Sequence, residues 1–179
     1  YQGVDPFVQQ VWLVGRWLGD GTMGSDSQES RVKDPASYIQ PLLELCFVAG
    51  EAICSHYHQP GETAFEAKGD SSPVTEADLE SHRILDEGLA SLQGNLPVLS
   101  EECTAQELRQ RRSWNRFGMV DPLDGTKEFI GGTGEFTINI ALIDDHRPIL
   151  GVLYVPLSRK AYVGIPGVGA ALHQRDEQG

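Results

Sequence analysis

The chain has 179 residues, of which 40% are hydrophobic and 22% charged, a globular composition long enough for one domain with a real core. Its formal net charge of −12 argues against non-specific nucleic-acid binding through a basic surface. No apolar run approaches the roughly 20 residues that a membrane span needs, and Phe7 to Leu18, short and interrupted by Gln9, Gln10 and Arg16, lacks the cleavage site of a signal peptide.

The sequence does not open on Met. Residues 1–36 have little periodicity and read as a poorly structured leader, with Met23 opening a polar lead-in. The expectation is that residues 1–22 lie upstream of the natural start or are foreign to the native protein. Regular structure is expected over 37–175, followed by a tail over 176–179. Pro41 to His58 carries Leu42, Leu45, Cys46, Ala49, Ala52 and Ile53 at helical spacing, with Pro41 near the start, and Gln59-Pro60-Gly61 ends it. Thr63 to Ala67 reads as a short strand. Thr75 to Leu92 is a second helix, opened by a Thr75–Asp78 capping box, with Leu79, Ile84, Leu85 and Leu89 as its buried stripe. Gly94 closes it.

The remainder reads largely as β. Leu96 to Leu99 and Phe117 to Val120 are short apolar strands ending at carboxylates, and Lys127 to Ile130 continues a helix from the turn that follows. Phe136 to Ile143 alternates, Asp144 to Pro148 forms a hairpin-type turn, and Ile149 to Val155 returns. Ala161 to Ile165 and Ala170 to His173 flank Pro166-Gly167. Two helices followed by mostly antiparallel strands define an α+β layered structure. Cys46, Cys54 and Cys103 are odd in number and lack metal-ligand spacing, so a reduced, cytoplasmic protein is expected.

The chemistry concentrates in Asp121-Pro122-Leu123-Asp124-Gly125-Thr126, where two carboxylates, a carbonyl and a glycine turn fall within six residues. A strand stopping at Asp-Pro and a helix starting at Asp-Gly-Thr bring hard oxygen ligands and unpaired backbone N–H groups to one spot, which suits a divalent cation and a phosphate. Two further clusters precede the long strands: Thr75-Glu76-Ala77-Asp78 and Ser100-Glu101-Glu102. Singly, these read as a helix cap, a solvated loop and a turn. Jointly, Glu101, Asp121 and Asp124 each follow a short apolar strand, and neighbouring strands bring such ends together. Carboxylates with a backbone carbonyl make a Mg²⁺ ligand set. An acidic protein that handles phosphate also needs cations to offset repulsion.

Three blocks, Ser72 to Asp78, Pro97 to Glu102 and Asp121 to Phe129, closely resemble the inositol monophosphatase superfamily of Mg²⁺-dependent, lithium-sensitive phosphatases. Asp-Gly-Thr-Lys-Glu-Phe and Leu-Ser-Glu-Glu resemble its CysQ-type 3'(2'),5'-bisphosphate nucleotidase branch, and the likeness runs from about Pro41 to Leu172. The resemblance implies that Glu101, Asp121 and the Leu123 carbonyl hold one Mg²⁺, with Asp121 bridging to a second shared with Asp124. Gly125 and Thr126 would offer N–H groups to phosphate, beside Asp124 in the substrate site. Asp78, acting through Thr126, and Glu101 would orient and deprotonate the attacking water. The implied reaction removes the 3'-phosphate of 3'-phosphoadenosine 5'-phosphate, giving AMP and phosphate in sulfur assimilation.

The superfamily carries a C-terminal domain whose Trp-Asp motif completes the second metal site, and no Trp follows Trp114 here. The expectation is a truncated chain that binds Mg²⁺ weakly and turns over slowly, with an exposed sheet face. Two alternatives stay open: an inositol or sugar monophosphatase, disfavoured by Lys127-Glu128, and a non-catalytic metal-binding remnant. Some relatives associate with the inner membrane on its cytoplasmic side, but no amphipathic anchor requires that here.

Overall fold

The computed structural model describes residues 34–57, 66–67, 73–92, 95–103, 109 and 113–176. A 3₁₀ turn, Pro35–Tyr38, capped by the Asp34 side chain, leads into α1 (Ile39–His56). The helix therefore starts two residues before Pro41, which is tolerated because the first turn needs no donor from it. The reading of residues 1–33 as a leader falls outside the described residues. So does the Thr63 end of the predicted strand, of which Glu66–Ala67 forms β1, paired antiparallel with β2 (Pro73–Val74). Helix α2 (Glu76–Ser91) begins at Thr75 as expected. Of the predicted stripe, Leu85 and Leu89 are buried and Ile84 packs against the core, but Leu79 does not belong to it. Ala77, Asp78, Ser81, Leu85 and Leu89 point inward, while Leu79 is 54% exposed. The helix is rolled so that a carboxylate and a hydroxyl, not a continuous apolar stripe, meet the sheet.

Strands β3 (Val98–Ser100), β4 (Arg116–Asp124), β5 (Thr137–Asp144), β6 (Arg147–Val155), β7 (Lys160–Ile165) and β8 (Gly169–Gln174) form one six-stranded sheet in chain order. All neighbours pair antiparallel except β3 and β4, which run parallel, so the sheet of this α+β fold is mixed. The connection over 101–115 has the length that a parallel return requires. Asp145 and His146 both have positive φ, the condition for a two-residue hairpin of matching twist, and they join β5 to β6.

One face of the sheet is the core. Val120, Ile140, Val152 and Val163 are register partners across β4 to β7, and all are buried. The helices cover this face, α2 over β3 and β4 and α1 over β6. The opposite face carries the row Asp121, Asn139, Leu153, Tyr162 and Leu172. That row passes from a carboxylate to two half-exposed apolar side chains, Tyr162 and Leu172.

Strand β4 does not stop at Asp121 as the sequence suggests. It runs on to Asp124, with a register shift between these two residues against β5. Pro122 fits because the ladder is already broken there and asks no N–H of it. The short helix α3 (Thr126–Gly131) follows. Six residues do not hold a helix in water by themselves. Phe129 anchors it, fully buried among Tyr57 at the end of α1 and Phe136 before β5, with ring centroids 5.1–5.4 Å apart.

Candidate active site

The break in β4 leaves backbone carbonyls without ladder partners, and two hydroxyls take them up. Ser81, buried on α2, donates to Pro122 O at 2.8 Å. The Thr126 hydroxyl, on the first residue of α3, lies 3.1 Å from Leu123 O and 3.1 Å from Asp78 Oδ1. These bonds pin the bulge between α2 and α3. Gly125 makes the turn between strand and helix. Its φ is +93°, and a Cβ there would stand 2.6 Å from Glu135 O and 3.2 Å from Phe136 Cα. Left-handed backbone and close passage of a neighbouring chain both require glycine.

Asp78 serves the cap and the site with different oxygens. Its Oδ2 accepts from the Thr75 N–H at 2.8 Å and from the Thr75 hydroxyl at 2.5 Å, while its own N–H donates to Thr75 Oγ1 at 3.4 Å. Its Oδ1 remains for Thr126. The side chain is fully buried. Burial raises its pKa, and the bonds from Thr75 and Thr126 oppose that rise.

The parallel β3–β4 pair supplies the other half. Ser100 lies opposite Val120, so Glu101, where the chain leaves β3, comes level with Asp121 on β4. A tight turn after β3 fixes the first of them: Ser100 Oγ accepts from Glu102 N at 3.2 Å, and Ser100 O accepts from Cys103 N at 3.1 Å. Oxygens of Asp78, Glu101 and Glu102 lie within 4.8 Å of one another, close enough to share a cation. Asp121 stands beside this triad and feels the charges of Glu101 and Asp78. The pKa of Asp121 rises from 3.8 to about 8, through burial first and then the negative charges of Glu101 and Asp124. Asp124 is also raised by burial, against a 3.1 Å hydrogen bond from Asn139 Nδ2 to its Oδ2.

No basic side chain figures among the groups that shift Asp78, Asp121 or Asp124. Asp121 Oδ1 is buried with no hydrogen-bond partner. A buried, unpartnered carboxylate oxygen among other acids is expensive unless a cation or a proton meets it. The donors are all carboxylate and carbonyl oxygens, the set that suits a hard divalent ion rather than a soft metal.

The sequence-predicted site residues Asp78, Glu101, Asp121, Leu123, Asp124, Gly125 and Thr126 thus converge on the edge between α2, β3, β4 and α3. The tightest carboxylate group, however, brings in Glu102 and Asp78 rather than Asp121 and Asp124. Sequence reasoning missed Glu102, Ser81 and Asn139. A serine on the buried stripe of an amphipathic helix, and an asparagine inside the Ile138–Ile140 alternation, were the available signals.

Helices thus cover a mixed sheet with carboxylates gathered at one edge, and residues 34–178 match the inositol monophosphatase family, to which the chain belongs. Among curated proteins it is 45% identical over 130 residues to the 3'(2'),5'-bisphosphate nucleotidase CysQ of Salmonella typhimurium, covering 72% of this chain and 52% of that protein. To the CysQ of Aggregatibacter actinomycetemcomitans it is 38% identical over 135 residues, covering 75% and 49%. The crystal structure of CysQ from Bacteroides thetaiotaomicron superposes with a TM-score of 0.64 at 39% identity, over 80% of this chain and 52% of that one. The IMPase of Thermotoga maritima, 23% identical, shares the fold with a TM-score of 0.67 over 78% and 52% of the two chains. The chain spans about half the length of the curated relatives it matches. No helix among the described residues is long and apolar enough to cross a membrane.

Proposed function

We propose that this chain carries the metal- and phosphate-binding part of a 3'(2'),5'-bisphosphate nucleotidase, removing the 3'-phosphate of 3'-phosphoadenosine 5'-phosphate to give AMP and phosphate. The observation that carries this reading is the unpartnered, buried Asp121 Oδ1 beside Glu101 and Asp124, in a chain 45% identical to CysQ. Glu101, Asp121 and the Leu123 carbonyl would hold one Mg²⁺, and Asp121 with Asp124 a second. When bound, these ions supply the positive charge that polarises the phosphoryl oxygens and makes water acidic enough to attack.

The remaining steps belong to the protein. The Thr126 hydroxyl has one proton and two acceptors, Asp78 Oδ1 and Leu123 O. Were the Leu123 carbonyl to serve as a ligand, Asp78 Oδ1 would be the acceptor that keeps the Thr126 proton. The Thr126 oxygen is then left as an acceptor that orients the attacking water. Glu101, exposed at the end of β3, takes up the proton released. The N–H groups at the start of α3 have no partner within the helix and face phosphate, although the Gly125 N–H lies against the Asp124 carboxylate and has to be given up for that role. The thiols of Cys46 and Cys54 fit a reducing, cytoplasmic setting.

The test is phosphate release by the intact gene product with Mg²⁺, from 3'-phosphoadenosine 5'-phosphate and from inositol 1-phosphate in parallel. The reading expects kcat/KM at least about tenfold higher for the nucleotide. Equal or reversed preference would favour the inositol or sugar phosphatase, and no release from either the non-catalytic remnant.

A further inference from the structure

The side chain of Asn139 lies across the bulge that separates the two β4 carboxylates. On β5 it is the register partner of Asp121, and its Nδ2 donates to Asp124 Oδ2 at 3.1 Å. The amide has one workable orientation, because turned over it would set its own oxygen against the Asp124 carboxylate. In that orientation Asn139 Oδ1 is buried without a partner, as are Asp121 Oδ1 and Thr137 Oγ1 on the same face. A half-satisfied amide in this place is a poor choice for the strand alone, since an apolar or β-branched residue would pair as well there and bury no unpartnered oxygen of its own. What the amide offers is a neutral donor. A lysine or arginine would hold Asp124 more strongly but would occupy the charge that a cation is to meet.

We infer that Asn139 is a positioning residue for the metal site: it ties up Asp124 Oδ2, holds that carboxylate in one rotamer and presents its other oxygen, alongside Asp121, to a divalent cation. This rests on the metal-site reading above. Outer-shell groups of this kind commonly tune metal affinity by 10–100-fold.

The experiment titrates Mg²⁺ into the intact gene product calorimetrically, with Mn²⁺ followed by electron paramagnetic resonance as a second probe. Parent, Asn139→Leu, Asn139→Ala and Thr137→Val are compared, and each is melted in EDTA. Both Asn139 variants should bind the metal at least about tenfold more weakly and need correspondingly more Mg²⁺ for half-maximal rate, with kcat at saturating Mg²⁺ less affected. Their melting in EDTA should stay close to the parent's. Thr137→Val removes an equally buried hydroxyl that, although opposite Asp124 in the ladder, makes no hydrogen bond to it, and it should leave affinity unchanged. The inference is overturned if the Asn139 variants bind within about twofold of the parent, or if Thr137→Val weakens binding as much as they do. Should Asn139→Leu fail to fold, Asn139→Ala decides. A parent that binds no metal would overturn the site reading itself, and this inference with it.

Discussion

Replacing Asp121 by Asn removes one charge from the site at nearly constant shape, and its effect on stability has a definite sign. The folded pKa of Asp121, about 8, lies above its ordinary 3.8. Its contribution is therefore fully present below pH 4 and is lost by the time pH has risen through 8, because over that range the folded state holds a proton that the unfolded state has already released. One such group sets a ceiling of about 1.4 kcal/mol per pH unit. Asp121 is partly exposed and balances its charge against Glu101 and Asp124, so about half that slope is expected, roughly 3 kcal/mol between about pH 4 and pH 8. For a chain of this size that is a fall in Tm of about 6–12 °C. The raised pKa values of Asp78 and Asp124 act in the same direction. The assay is thermal melting in EDTA across this range, for parent and Asp121→Asn, repeated with saturating Mg²⁺. In EDTA the variant should lose the part of the downward slope that Asp121 contributes and be the more stable protein at pH 8. With Mg²⁺ the order should reverse, because the cation binds the ionised carboxylate and stabilises the fold that holds it. Parallel slopes for parent and variant in EDTA would refute the reasoning, as would equal stabilisation of both by Mg²⁺.

Gly125→Ala should destabilise the protein by about 2–4 kcal/mol, from the left-handed φ of +93° and the approach to Glu135 O, measured by urea unfolding. Ser81→Ala strands Pro122 O in the interior and should lose about 1–3 kcal/mol in the same assay. Thr126→Val keeps the shape but removes the hydroxyl between Asp78 and Leu123. It should lower kcat by about 10²-fold with Tm changed by only a few degrees; an unchanged kcat would remove Thr126 from the mechanism.

Much of this was legible in the sequence because local chemistry decided it. The Thr75–Asp78 capping box, the Asp145-His146 hairpin and the alternation of β5 depend on near neighbours, and each lies where the residues indicate. The carboxylates were legible too, because Asp121 and Asp124 flank a proline and precede a glycine that no other residue replaces. What escaped depended on partners far along the chain. Leu79 faces out because α2 is rolled to bring Asp78 and Ser81 to β4 and α3, contacts 41 and 48 residues away. Pro122 reads as a strand stop by itself. Only the register shift against β5 lets β4 run past it to Asp124. The parallel β3–β4 pair, which sets Glu101 beside Asp121, is a matter of topology rather than of local pattern. The tight grouping of Glu102 with Asp78 and Glu101 follows from the same pairing.

The central claim is that Asp121 and its neighbours hold a divalent cation, and anomalous diffraction from crystals grown with Mn²⁺ tests it most directly. The account predicts an anomalous peak in contact with Glu101, Asp121 and the Leu123 carbonyl. A peak confined to Asp78, Glu101 and Glu102, or none at the edge of β3 and β4, would contradict it.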